Sequence, residues 1–195
     1  MEREYHPLRL RELGAGARFR RPTQRQAVRV TAESPAIEVM TDLERVSPAT
    51  IRPDAPLAGA NRFMITRGVR LLLVVDEQHE TVLGVVTAND ILGERPMLAA
   101  TARSLRRDDL TVADVMTPAP EVEVVDLDEV EASRVGHMVE TLRRAGRQHA
   151  LVVDREARVR GIFSLSQIAR QLGVTLGAAG ETALTFSQIE AALAK

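Results

Sequence analysis

The sequence contains no cysteine. It therefore cannot form a disulfide scaffold, a thiolate zinc site or an iron–sulfur cluster, and it has no cysteine nucleophile. It also contains no tryptophan, and aromatic residues make up only 3% of the chain. Few side chains are thus available to stack on the bases of a nucleic acid. These absences exclude several common kinds of functional site.

The chain also lacks a large excess of charge and a long apolar run. Its formal net charge is −1 over 195 residues, so no overall basic field attracts nucleic acid. The longest apolar runs, such as Leu71–Val75, are far shorter than the roughly 18 residues that indicate a membrane span. We therefore predict a cytoplasmic protein without membrane association, and we do not expect nucleic acid as a partner.

Basic residues are concentrated near the start of the chain. Residues 1–29 contain eight arginines and three glutamates. We predict an Arg-rich arm over residues 1–33 that drapes over the folded body or over a second copy. The alternative is an arm that binds phosphates, since local basic clusters can do so in a neutral chain.

An internal repeat organises the rest of the sequence. The segment Val82–Leu92 reads as a buried strand that runs into a helix, and Val159–Ala169 is a second copy. Gly84 corresponds to Gly161, and Thr87 to Ser164, at a spacing of 77 residues. We predict a first repeat over residues 34–100, a second over 101–175, and a tail with a short helix over 176–195.

The predicted elements repeat in the same order. Continuous apolar runs at residues 71–75 and 150–153 indicate strands buried on both faces. Helical spacing predicts a helix capped by Asp54 or its neighbour and stopped by Gly68. In the second copy, Asp126 and Glu129 stand at capping-box spacing before a longer helix that ends at Gly146.

The turns between strand and helix are the candidate sites. Each half of about 60 residues is marginal alone, and packing two halves together leaves a cleft on each side, lined by these turns. Turns that open helices favour anionic ligands such as phosphates. A structural alternative exists, because Thr87 with Asp90, and Ser164 with Gln167, are also spaced as capping boxes.

The doubled pattern resembles a known family. The pattern consists of Val39-Met40-Thr41, Thr50-Ile51-Arg52-Pro53-Asp54, Leu73-Val74-Val75-Asp76 and Gly84-Val85-Val86-Thr87-Ala88-Asn89-Asp90. It is similar to a tandem pair of cystathionine-β-synthase (CBS) domains, a Bateman module, over residues 34 to about 173. The resemblance implies an α+β fold of two β-α-β-β-α repeats packed about a pseudo-twofold axis.

The resemblance also implies a ligand and the residues that hold it. Such modules bind adenine nucleotides or S-adenosylmethionine in their clefts, commonly form dimers and regulate an associated protein. By position, Asp90 would accept from the ribose hydroxyls with Thr87 near the phosphate. Thr50 and Ile51 would face the adenine, and Arg70 would contact the phosphate.

The second cleft matches the family pattern less well. Ser164 and Gln167 occupy the equivalent turn, with His149 and Arg147 near the preceding strand. Gln167 replaces the family's aspartate, so we expect one stronger site and one weak or empty site.

The resulting hypothesis is a regulatory module. We expect it to sense AMP, ADP, ATP or S-adenosylmethionine, to form a homodimer, and to signal to an unidentified regulated protein by a conformational change. We predict no catalytic residues, no required cofactor and no metal, because no nucleophile has a base nearby in sequence and no histidine has a partner at metal-ligand spacing. The alternative is a structural protein–protein interaction module with degenerate nucleotide clefts.

Overall fold

The structure is a computed structural model that describes residues 29–78, 81–174, 188, 189 and 191. The predicted arm and the predicted tail fall largely outside the described residues. The first repeat contains strands β1 (Thr41–Asp42) and β2 (Thr50–Ile51), helix α1 (Leu57–Arg67), strands β3 (Leu71–Val75) and β4 (Val82–Thr87), and helix α2 (Ala88–Leu92). Helix α3 (Arg95–Arg103) forms the connection between the repeats.

The second repeat has the same order with one additional helix. Its elements are strands β5 (Thr117–Pro118) and β6 (Val124–Asp126), helices α4 (Leu127–Ala132) and α5 (Val135–Arg144), strands β7 (His149–Val153) and β8 (Val159–Ser164), and helix α6 (Leu165–Gln171). Short 3-10 helices occupy Ala36–Val39, Arg107–Asp109, Val112–Asp114 and Ala119–Glu121. The predicted α+β class and the two β-α-β-β-α repeats are confirmed.

The two repeats exchange their first strands. One sheet has the order β2-β3-β4-β5, and the other has the order β1-β8-β7-β6. Strand β1 therefore leaves the first repeat and pairs with β8 of the second, while β5 precedes the second repeat and pairs with β4 of the first. We call residues 34–42 and 110–118 the two exchanged segments. Their reciprocal crossing is what an approximate twofold axis between the repeats produces.

The exchanged segments complete the hydrophobic cores. Leu110, Val112 and Val115 are buried against the apolar sides of α1, α2 and the first sheet. In the second repeat, the corresponding contribution comes from Val39 and Met40, which are buried among residues of α5, α6 and the second sheet. A third cluster lies between the two sheets and contains Leu71, Leu73, Val75, Val85 and Leu151. Each repeat therefore depends on side chains from the other.

The start of α1 differs from the sequence prediction. The helix begins after Pro56 without a side-chain cap, whereas Asp54 forms an ion pair with Arg52 at 3.0 Å. The expected cap by Asp54 is therefore wrong. The end was predicted correctly, because Gly68 adopts the left-handed conformation with φ of 65°, which glycine tolerates without steric cost.

The long helix predicted in the second repeat is broken at residues 133–134. Asp126 precedes α4 without a side-chain cap, so the capping box expected with Glu129 is also wrong. The cause of the break is the exchanged segment: the Ala36 N–H donates to the Ser133 carbonyl at 3.0 Å, and the Val135 N–H donates to the Ser34 carbonyl at 2.9 Å. Backbone groups used in this way cannot continue a helix.

Candidate functional site

The turn between β4 and α2 holds the two residues on which the sequence prediction depends most. The Asp90 carboxylate accepts from the Thr87 N–H at 2.8 Å and from the Thr87 hydroxyl at 2.7 Å, in both cases through Oδ2. The Asp90 N–H donates back to Thr87 Oγ1 at 3.3 Å. This is a complete capping box, so the capping interpretation is confirmed at this position. The same bonds fix the orientation of the carboxylate.

Arg70 lies beside this turn. Its carbonyl accepts from the Ala88 N–H at 2.9 Å, and the next residue, Leu71, is paired with Thr87 across β3 and β4. The antiparallel pairing therefore brings a guanidinium-bearing residue to the end of the sheet at which Asp90 lies. We call Arg70, Thr87 and Asp90 the first cleft.

The two residues predicted to face an adenine lie on the other side of β3. Strand β2 runs parallel to β3, with Thr50 paired with Leu73 and Ile51 paired with Val74. Strand β3 thus separates Thr50 and Ile51 from Thr87 in the same sheet. A ligand that contacted all of these residues would have to extend across the width of three strands.

The equivalent turn in the second repeat is built differently. The Ser164 hydroxyl is bonded to the Ser166 hydroxyl at 2.9 Å, and α6 begins without a side-chain cap. The capping interpretation is therefore wrong for Ser164 and Gln167. Instead, Gln167 Oε1 accepts from the Thr41 hydroxyl at 3.2 Å, and Gln167 Nε2 donates to the Val39 carbonyl at 3.4 Å.

The second cleft also lacks a counterpart of Arg70. The Leu165 N–H donates to the Gln148 carbonyl at 2.8 Å, as the Ala88 N–H does to that of Arg70, so Gln148 is the structural equivalent. Arg147, one residue earlier, forms an ion pair with Glu123 at 3.1 Å. The sequence comparison missed this because the second repeat is one residue longer here, which shifts the spacing from 77 to 78.

His149 lies under the electrostatic influence of the first cleft. It begins β7 and is paired with Ser164. Burial lowers the pKa of His149 to about 4, the positive charge of Arg70 lowers it further, and the negative charge of Asp90 opposes both effects. The structure therefore brings together Arg70, Asp90 and His149, which the sequence prediction had divided between two clefts.

One residue of this region was missed by the sequence prediction. Arg95, the first residue of α3, lies 3.2 Å from Asp90 Oδ1 through its Nη1 atom. The same Nη1 atom donates to the Val115 carbonyl at 3.0 Å and to the Thr117 hydroxyl at 3.2 Å. Arg95 lies beyond the last matching positions of the repeat, and its partners come from the exchanged segment, so no local pattern indicates its role.

Two further kinds of site were sought in the part of the chain that the structure describes. No group of three or more histidine, aspartate or glutamate side chains there could hold a metal ion. Within the same residues, none of the helices combines the length and the apolar character that crossing a membrane requires.

Comparisons with known proteins agree with the fold. The family model of the CBS domain matches the chain twice, over residues 36–96 and 112–173. No curated protein matched the chain. Among solved structures, the chain is similar to an uncharacterized conserved protein from Pyrococcus horikoshii, with a TM-score of 0.55 and 22% identity over 79% of this chain and 100% of that one.

Two similar structures contain adenosine compounds. The CBS domain pair of protein MJ0100, in complex with 5′-methylthioadenosine and S-adenosyl-L-methionine, has a TM-score of 0.51 and 23% identity over 72% of this chain and 97% of that one. CBSX2 in complex with AMP has a TM-score of 0.50 and 20% identity over 71% of this chain and 94% of that one. CBSX2 comes from Arabidopsis thaliana. At these identities the likeness shows the fold alone.

Proposed function

The chain belongs to the CBS domain family, and from this premise we propose that it is a regulatory module whose first cleft binds an adenosine compound. The observation that carries the proposal is the Asp90 carboxylate. Its side chain is 14% exposed, and Thr87 holds it in one orientation. A fixed carboxylate can accept from both hydroxyl groups of a ribose, and hydrogen bonds to a charged acceptor are the stronger kind.

Charge distinguishes the first cleft from the second. Arg70 supplies a cation beside the turn of the first cleft, and a guanidinium suits a phosphate or a carboxylate on the ligand. In the second repeat the corresponding positions are Gln148 and Gln167, which are both neutral. We therefore expect one strong site per chain.

The ligand classes to be tested come from the similar structures. MJ0100 was solved with S-adenosyl-L-methionine and CBSX2 with AMP, and both ligands contain the ribose that Asp90 would hold. In the proposed module, ligand binding favours one arrangement of the two repeats over another, and a regulated protein responds to that arrangement. The ligand must bind the two arrangements with different affinity for this to work.

The proposed module forms a homodimer through its helices. Ile65 on α1 and Leu92 on α2 are 70% and 60% exposed, and Met97 and Leu98 on α3 are 66% and 64% exposed. Large apolar side chains that cluster on a surface commonly mark an association site.

Thermal unfolding in AMP, ADP, ATP and S-adenosylmethionine tests the proposal. A ligand at about 100 times its dissociation constant adds roughly 2.7 kcal/mol to stability, which raises Tm by about 5–10 °C for a chain of this size. Asp90→Asn should abolish most of the rise, because loss of a charge-assisted hydrogen bond weakens binding by roughly 10- to 150-fold. Light scattering on the same samples should give about twice the chain mass of 21.4 kDa.

Asp114→Asn is the matched control. Asp114 accepts from the Thr111 N–H at 2.7 Å and from the Thr111 hydroxyl at 3.0 Å, and it is paired with Arg103. The substitution therefore weakens the same kind of capping box without touching the first cleft, and it should leave the ligand-induced rise intact. If no compound raises the Tm of the wild-type protein, the interaction module with degenerate clefts replaces our proposal.

A further inference from the structure

The two repeats are joined to the exchanged segments by two different sets of side chains. Val39 and Thr41 in one segment correspond to Val115 and Thr117 in the other, at a spacing of 76 residues. In the second repeat, Gln167 bonds directly to the Val39 carbonyl and to the Thr41 hydroxyl. We call this contact the second joint.

In the first repeat, the equivalent contact needs two residues. Asp90 stands where Gln167 stands in the second repeat, but an ionised carboxylate has no hydrogen to donate to a carbonyl. Arg95 supplies the missing donor, because its Nη1 atom reaches the Val115 carbonyl and the Thr117 hydroxyl while it lies 3.2 Å from Asp90 Oδ1. We call this contact the first joint.

The residue at the corresponding place in the second repeat supports this equivalence. The position 77 residues after Arg95 is Leu172, which packs against the core of the second repeat and has no donor. The amide of Gln167 combines a donor and an acceptor in one side chain, so no arginine is needed. The chain thus uses an aspartate with an arginine in one repeat and a glutamine with a leucine in the other.

The first joint and a ligand would use the same oxygen atom. Asp90 Oδ2 already accepts two bonds from Thr87, and Oδ1 faces Arg95. A ribose held by Asp90 would therefore have to share or displace the contact of Oδ1 with Arg95. Because Arg95 also holds Val115 and Thr117, its displacement would loosen the exchanged segment from the first repeat.

We propose that Arg95 is a positioning residue that closes the first joint in the absence of ligand, and that a ligand bound to Asp90 releases it. The closing part rests on the contacts above, and the release part rests on the proposed function of the first cleft. Release gives a route by which ligand binding changes the arrangement of the two repeats. The second joint has no charged pair that a ligand could break, so it holds the other exchanged segment permanently.

A double-mutant cycle without ligand tests the joint. Arg95→Ala should lower Tm by about 2–6 °C, because hydrogen bonds and an ion pair are lost. In the background of Asp90→Gln, which reproduces the arrangement of Gln167, the same substitution should lower Tm by less than half as much. Equal losses in the two backgrounds would mean that Asp90 and Arg95 are not coupled, and the joint would be refuted.

Titration calorimetry with AMP and with S-adenosylmethionine tests the release. Arg95→Ala should bind the active compound about two- to fivefold more tightly than the wild type, because the competing ion pair is gone. Arg95→Lys keeps the cation and should restore a Kd close to that of the wild type. A merely structural role for Arg95 would lower Tm without tightening binding.

Arg103→Ala is the control for both measurements. Arg103 lies at the other end of α3 and pairs with Asp114 of the same exchanged segment, but it does not contact Asp90. It should lower Tm and leave Kd unchanged. If the wild type binds and Arg95→Ala does not bind more tightly, release is refuted while the proposed function stands. If the wild type binds neither compound, the proposed function and release both fail, and the cycle without ligand still decides the joint.

Discussion

His149 begins strand β7 at the position that Leu71 occupies in β3, because each is paired with the hydroxyl residue that ends the following strand. The chain therefore places an ionisable ring where the other repeat has an apolar side chain. Burial and the charge of Arg70 lower the pKa of His149 to about 4, against the opposing effect of Asp90. The folded protein keeps this ring neutral at pH values at which the unfolded chain protonates it.

Stability should consequently fall in mildly acidic solution. Below pH 6.5 the unfolded state binds a proton that the folded state refuses, so protonation favours unfolding until the pH approaches 4. Between pH 7 and pH 4.5 the loss due to His149 should be about 1–3 kcal/mol. The lowered pKa values of the carboxyl groups of Asp42 and Asp154 cost stability only at lower pH.

Urea unfolding of the wild type and of His149→Leu at pH 7 and pH 4.5 measures this effect. The leucine is the residue found at the equivalent place in the first repeat, and it does not titrate. The variant should lose about 1–3 kcal/mol less than the wild type between the two pH values. The value at pH 7 serves as the internal control for any change in packing. An identical loss in both proteins would show that His149 is not the group responsible.

At the scale of elements, the exchanged strands approach two equivalent glycines. Gly84 is opposite Pro118 where β4 pairs with β5, and a Cβ atom there would collide with the backbone oxygen of Thr117. Gly161 is opposite Asp42 where β8 pairs with β1, and a Cβ atom there would collide with the Met40 side chain. Glycine at both positions is explained by this close approach rather than by φ.

The two alanine substitutions should therefore differ in cost. Gly84→Ala should destabilise by about 2–4 kcal/mol, because the strand backbone must move away. Gly161→Ala should cost about 1–3 kcal/mol, because the Met40 side chain has several rotatable bonds and can adjust. Urea unfolding of both variants at pH 7 measures the difference.

A third variant separates the two causes. Met40→Val shortens the side chain that Gly161→Ala would strike, so the cost of the double variant should be smaller than the sum of the single costs. The same combination of Gly84→Ala with Met40→Val should be additive. Equal costs for the two alanines, or additivity in both pairs, would contradict the proposed contacts.

The sequence predicted these elements unevenly, for physical reasons. The buried strands and the turn at Thr87 and Asp90 were predictable, because their signals are local: an apolar run, and a hydroxyl three residues before a carboxylate. The break at Ser133 and Arg134 was not, because its backbone bonds go to residues about 100 positions earlier. For the same reason Arg95 escaped notice, since its partners Val115 and Thr117 are brought to it by the exchange of strands.

At the scale of the whole molecule, the exchange makes the two repeats one folding unit. The first core is completed by the segment 110–118 and the second by the segment 34–42. Ion pairs and hydrogen bonds from Arg95, Arg103 and Gln167 attach the same segments. A unit of about 60 residues buries only about 60% of its unfolded surface, so neither repeat can lose its exchanged segment and keep a stable core.

Fragments cut between the repeats test this dependence. Residues 29–103 lack Leu110, Val112 and Val115, and residues 104–195 lack Val39 and Met40, so each fragment should be unfolded alone by circular dichroism. Equimolar mixing should restore the spectrum of the intact chain, because each fragment supplies the segment that the other lacks. The control fragment, residues 29–120, carries its own β5 and should be more ordered than residues 29–103. A stable fold of residues 29–103 in isolation would show that the exchanged segments do not determine the stability of the cores.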